Sequence, residues 1–210
     1  MLKLKNFLLK FFIVLFFLFI FIFVSAKSYS QFMFDNISDN FLRLHIVANS
    51  DSTEDQMLKY KIRDSVIEYL HPLFQNVNSK DEALMILKNH TKELTDLSYE
   101  ISHSFGYNYD INVSVGNYYF PRKIYSKITL PEGYYDALKI DIGKSEGQNW
   151  WCVMFPSLCI MDTTNCSFSE DSDKLLQENL GNEEYNIITN PDDHAPLKIK
   201  FKLIELFENI

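Results

Sequence analysis

Residues 11–24, Phe11 to Val24, are an unbroken apolar run with no polar face. A helix apolar all round cannot sit on the surface of a water-soluble domain. Three lysines, Lys3, Lys5 and Lys10, precede or open the run, and Val24-Ser25-Ala26 follows it with small residues. That order is the pattern of an export signal with a cleavage site after residue 26. Phe7, Leu8 and Leu9 extend the apolar stretch toward the ~20 residues a spanning helix needs, so a retained anchor over residues 7–26 is the alternative. Both place the positive end in the cytoplasm and send the remainder across the membrane. Residues 27–40 are polar and read as a linker, and residues 41–210 as one exported domain.

Charge narrows the partners. The first 26 residues hold three lysines and no acid, which leaves 17 basic against 28 acidic residues beyond them, a net −11. Such a surface repels a phosphate backbone, which argues against nucleic acid as a partner. The three cysteines, Cys152, Cys159 and Cys166, show no C-x-x-C spacing, and the histidines are scattered, so no metal site and no cofactor are expected.

Periodicity predicts an α+β fold. Residues 41–48 alternate as a strand, with Leu42, Leu44, Ile46 and Ala48 on one face and Phe41, Arg43, His45 and Val47 on the other. Ser52 and Asp55 mark a helix start, and Leu58, Ile62, Val66, Tyr69 and Leu73 follow at helical spacing until Pro72 ends it. Ser79 with Glu82 is a capping box opening one long helix or two stacked ones, closed by Gly106. The period then drops to two. Residues 107–115, 124–130 and 138–142 read as a three-stranded antiparallel meander, with Gly116-Asn117 as its first turn. The strand at 41–48 joins this antiparallel sheet, and two or three helices cover one face. Residues 172–180 suggest a short helix, 191–193 a loop, and alternation over 198–203 a final edge strand.

Two segments are unlike core filler. The loop Asn49–Gln56 carries Ser50, Asp51, Glu54 and Asp55 between strand and helix, with His45 near it. Helix capping accounts for most of these groups, and an EF-hand is excluded because its spacing and turn glycine are missing. The second segment is Gln148-Asn149-Trp150-Trp151-Cys152, running on to Cys159. It has three readings. One is a packed aromatic core with a Cys152–Cys159 disulfide across the six intervening residues. Another is a recognition patch of indoles rimmed by amides. The third is a thiol nucleophile at Cys152 with His45 as base and Gln148 as oxyanion donor, which would make the chain an envelope hydrolase.

These segments, Arg43-Leu-His-Ile-Val-Ala-Asn-Ser-Asp-Ser52 with Asp55-Gln56 and Arg63-Asp64, and Gly147-Gln-Asn-Trp-Trp-Cys-Val-Met-Phe-Pro156 with Leu158-Cys159, resemble the two blocks of the stage II sporulation protein R family. Pro131 to Gly143 is similar to the stretch preceding the second block. Ser157 stands where a second proline is common, and the C-terminal third diverges. The resemblance implies a non-enzymatic signal, exported across the forespore membrane into the space between the two sporulating compartments. There it triggers a membrane-embedded aspartic protease of the mother cell that processes the sigma-E precursor. The residues expected to touch that partner are His45, Asn49, Ser50, Asp51, Asp55, Gln148, Asn149, Trp150 and Trp151.

Overall fold

The computed structural model describes residues 2–125, 128–156 and 170–190. They fall into two units, one holding the N-terminal residues up to Asp35 together with Asn190, the other residues 36–189. Helix α1 (Leu2–Ser38) is long and apolar enough to cross a membrane. Its side chains from Leu4 to Val24 lie open, which is compatible with a signal or anchor segment. The stretch 27–38, read from sequence as a linker, is helical and continues α1.

The larger unit is α+β, built on a four-stranded sheet. Its strands are β1 (Leu42–Val47), β2 (Ile111–Phe120), β5 (Gly133–Ile142) and β6 (Asn149–Phe155), in the order β2-β5-β1-β6. The expected all-antiparallel sheet needs correction. β1 runs parallel to β5, with Leu44 opposite Leu138 and Ile46 opposite Ile140, while the other two pairings are antiparallel. Parallel neighbours need a long crossover, and three helices between β1 and β2 provide it.

The first two of those helices begin where their caps dictate. The Ser52 hydroxyl accepts the Asp55 N–H at 3.2 Å and opens α2 (Thr53–Phe74). Pro72 does not end α2, which runs two residues further. A proline in the last turn forfeits one helical bond, and Phe74 is still buried in the core. The Ser79–Glu82 box opens α3 (Lys80–Asn89), with Glu82 reaching back to the Asn78 N–H at 3.2 Å. The helical stretch is two helices, because the chain bends at His90 before α4 (Thr91–Ser104). Gly106, at φ +81°, turns the chain out of α4 in a conformation other residues resist.

The meander also needs correction. Gly116 and Asn117 lie inside β2, which pairs without a break from Ile111↔Ile142 to Phe120↔Gly133. The Tyr118 ring lies against Gly116, and its hydroxyl donates to Ser114 Oγ at 2.9 Å, so the glycine makes room for a ring instead of a turn. The segment expected to return beside β2 forms its own small sheet, β3 (Lys123–Tyr125) with β4 (Ile128–Leu130).

Both faces of β1 are buried. Leu42, Leu44 and Ile46 join Leu58, Ile62 and Val66 of α2 and Leu138, Ile140 and Ile142 of β5 in the main core. On the opposite face the Arg43 guanidinium sits 4.1 Å from the Phe120 ring centre and 4.8 Å from that of Tyr135, and donates to the Tyr125 hydroxyl of β3. Beyond β6 come α5 (Glu170–Asn179), over the expected short helix, and α6 (Asn182–Thr189), which packs on β4 and which the sequence reading did not contain. The expected loop at 191–193 and strand at 198–203 lie outside the described residues, as do Cys159 and Cys166.

Candidate functional site

The two sequence blocks meet because β1 and β6 are neighbours. His45 faces Trp151, Ile46 faces Trp150, and Val47 faces Asn149. Strand alternation then sends His45, Trp151 and Asn149 to one side of the sheet and Trp150 to the helix side. The His45 ring stacks on Trp151 at 3.8 Å with 12° between planes, and Phe120 meets both rings edge-on. His45 Nε2 lies 2.6 Å from Asn149 Oδ1, so that nitrogen carries the proton and donates. Burial, with Lys139 and Arg43 nearby, holds the imidazole below its ordinary pKa against the opposing pull of Asn149 and Asp141. His45 is therefore a neutral, packed ring at pH 7.

Trp150 packs against α2. The Arg63 guanidinium lies 4.4 Å from its ring centre, and Tyr60 meets it edge-on. Among the described residues its buried indole N–H meets no hydrogen-bond acceptor.

The loop after β1 is held by Asp55. One carboxylate oxygen accepts from Asn49 Nδ2 at 2.7 Å and Ser50 Oγ at 2.6 Å, and the other from the Tyr109 hydroxyl at 2.9 Å. Burial works to raise the Asp55 pKa, but the bonds from Ser50, Asn49 and Tyr109 outweigh it and hold the carboxyl below its usual value. The same contact helps push Tyr109 up to about 12, after burial.

The loop is then tied to the approach to β6. Asn49 Oδ1 accepts the Lys144 N–H at 3.0 Å, and Asp51 Oδ1 accepts the Gln148 N–H at 2.7 Å. Main-chain bonds join Glu146 to Asn49 and Gly147 to Ala48. A Cβ at Gly147 would stand 2.2 Å from the Ser50 carbonyl oxygen, so only glycine fits this crossing. Lys59, 1% exposed, donates from α2 to Gln56 Oε1 at 2.5 Å and to the Gln148 carbonyl at 3.0 Å.

All nine candidate contact residues thus converge on one end of the sheet, but in different roles. Asn49, Ser50 and Asp55 face inward on each other. Asp51, Gln148 and Asn149 are exposed, and Trp150 and Trp151 are half-buried. Sequence reasoning missed Tyr109, Lys59, Gln56 as a bridge, and the packing role of Gly147. Only Gly147 had a local signal, a glycine directly before the amide–indole run.

Cys152 is fully buried and disulfide-bonded, and its sulfur partner lies outside the described residues. A sulfur in a disulfide has no thiolate to attack with, which removes the premise of the Cys152 nucleophile. Among the described residues no three His, Cys, Asp or Glu side chains cluster as metal ligands would.

The geometry defines a class first: an α+β domain behind an apolar N-terminal helix, with a locked polar loop and an indole-bearing strand at one end of its sheet. The family model of stage II sporulation protein R matches residues 38–165. The chain is 31% identical over 185 residues to stage II sporulation protein R of Bacillus subtilis (strain 168), covering 83% of each chain. It belongs to the stage II sporulation protein R family, and its role lies in sporulation. No solved structure matches.

Proposed function

We propose that this chain is the exported signal by which the forespore activates a membrane-embedded aspartic protease of the mother cell, which then processes the sigma-E precursor. Family membership supports the sporulation role, and the apolar α1 is consistent with export or membrane association. The observation that carries the contact site is the convergence of both sequence blocks on one end of the sheet, where exposed amides surround a half-buried indole. A protease held in an inactive state is shifted by a ligand only through contacts that favour the active one. Gln148, Asn149 and Trp151, with Asp51 beside them, are the groups placed to make such contacts. His45, Asn49, Ser50, Asp55 and Trp150 hold them in position.

The test is reconstitution in a non-sporulating host. The sigma-E precursor and the membrane protease are co-expressed with or without this chain, and precursor size is followed on a blot. Processing that requires the chain, and that is lost in a folded Asn149→Ala/Trp151→Ala double variant, is the expected result. Processing that ignores the double variant would move the contact elsewhere. No processing with a folded, exported chain would sink the signalling proposal.

A further inference from the structure

β2 is an edge strand of the four-stranded sheet, and the direction of its main-chain groups can be read from one bond. The Ile111 N–H leaves the sheet and donates to the Tyr99 hydroxyl at 3.1 Å. On the other side, the Asp110 carbonyl accepts the Gly143 N–H beyond the end of β5 at 2.8 Å. The β2–β5 register then holds without a shift to Phe120. In an antiparallel pair, residues alternate between turning both main-chain groups toward the neighbour and turning both away. Val113, Val115 and Asn117 therefore present their N–H and C=O groups outward, where no described strand meets them.

Tyr99 caps the first position of this edge, and among the described residues no side chain is seen to cap the next ones. Edge strands are ordinarily defended by charged side chains, proline, a bulge or short length. β2 is ten residues long, Ile-Asn-Val-Ser-Val-Gly-Asn-Tyr-Tyr-Phe, with no charge, no proline and no bulge. Gly116 does not break it, because the Tyr118 ring packs over the gap. Such a strand is a template for another strand.

We propose that the outer edge of β2 pairs antiparallel with the same edge of a second copy of this chain, about a two-fold axis at Val115. Val113 then meets Asn117 of the other copy, Val115 meets Val115, and about six main-chain hydrogen bonds satisfy the outward groups. The occupant follows from charge. The chain is acidic overall, at −8, so most of its surface repels its like, whereas β2 against β2 brings no charge opposite another. On the other sheet face Asn112 falls opposite Tyr118 and Ser114 opposite Gly116, so no two bulky side chains collide.

A strand-to-strand contact of this length lies at the small end of specific interfaces, which puts the dissociation constant on the order of 10 micromolar. The full chain in detergent micelles is examined by sedimentation velocity from about 1 to 100 micromolar. The wild type should convert from monomer to dimer across that range. Asn117→Pro removes an outward N–H without touching the bonds to β5. It should weaken the dimer by about tenfold or more at an unchanged thermal midpoint. Asn117→Lys keeps the backbone intact, places a cation within reach of Asp136, and should weaken the dimer in the same way. It decides the matter if the proline variant does not fold. Gly116→Pro, whose N–H faces β5, should instead lower the thermal midpoint. A wild type that stays monomeric throughout, or a dimer that a folded Asn117→Lys leaves unchanged, would overturn the proposal.

Discussion

Replacing Asp55 by alanine removes the acceptor that gathers three elements. The carboxylate takes bonds from Asn49 and Ser50 after β1 and from Tyr109 just before β2, while its own N–H caps α2 on Ser52. The cap survives the substitution, but the three side-chain bonds do not. A hydrogen bond to a charged group is worth roughly 1.5–3 kcal/mol when its partner is left dry. Asn49, Ser50 and Tyr109 are only half-buried and recover part of that from water. About 1 kcal/mol each, or about 3 kcal/mol in all, is the expected loss. For a chain of this size that lowers the thermal midpoint by roughly 6–12 °C. The assay is tryptophan fluorescence, because both indoles lie on β6, to which the loop is tied. Asp55→Asn, which keeps the shape but turns one acceptor into a donor facing donors, should lose about 2 kcal/mol. The pH dependence has a definite sign. A carboxyl whose folded pKa is depressed contributes fully above its unfolded value, about 4, and loses that contribution as pH falls through the folded value. The gap between wild type and Asp55→Asn should therefore be constant above about pH 5 and shrink below about pH 4. An Asp55→Ala cost under about 1 kcal/mol, or a gap that does not shrink in acid, would refute the reasoning.

Three further outcomes follow from the same geometry. Gly147→Ala drives a Cβ to 2.2 Å from the backbone oxygen of Ser50 and should cost about 2–4 kcal/mol, whereas Gly106→Ala, strained only by its φ of +81°, should cost about 1 kcal/mol in thermal unfolding. His45 has a folded pKa below its unfolded value of about 6.5, so the stability it contributes is full above that pH and declines as pH drops beneath it; His45→Gln should flatten the thermal-midpoint profile between about pH 7 and 5. Cys152→Ser breaks a disulfide at a buried position and should lower stability by about 2–5 kcal/mol, with the proposed signalling lost in proportion and restored at lower temperature; a stable Cys152→Ser chain without activity would contradict this.

Local chemistry made several elements legible in the sequence. The alternation at 41–48 delivers β1, and the Ser52–Asp55 and Ser79–Glu82 pairs open α2 and α3 where they should. Gly106 closes α4 for the reason a glycine does so anywhere. Gly116-Asn117 misled because its turn chemistry is only a propensity, and ten paired positions with β5 outweigh it. The parallel β1–β5 pair was illegible because it joins strands some 90 residues apart, and alternation says nothing about direction. Arg43 shows the same limit. In its strand it looks like a residue for a wet face, yet Phe120, Tyr125 and Tyr135 enclose it from distant segments. For the site, both blocks could be named from residues alone, but not their junction. Only the β1–β6 register brings Asn149 to His45 and Trp151 onto the same ring.

That junction separates two kinds of residue within blocks that look uniform as sequence. A group already spent in internal bonds has little left to offer a partner, and exposing it costs what those bonds contributed. Asn49, Ser50 and Asp55 are spent on one another, and the buried His45 on Asn149 and Trp151, which themselves stay exposed and half-buried. Among the described residues Gln148 bonds to the fold through its main chain, with Asp51 and Lys59, and the residue is exposed. Asp51 retains a second carboxylate oxygen, and the half-buried Trp151 combines indole area with a rigid backing ring. Recognition energy at protein contacts concentrates in such buttressed aromatic residues, with polar neighbours excluding water around them. Trp151→Ala should therefore abolish activation in the reconstituted system with only a modest fall in thermal midpoint. Asn49→Ala should do the reverse, lowering the midpoint while leaving activation intact at temperatures where the chain is folded. If both substitutions reduce activation strictly in step with stability, the end of the sheet is a structural lock alone, and the proposed contact with the protease is not made there.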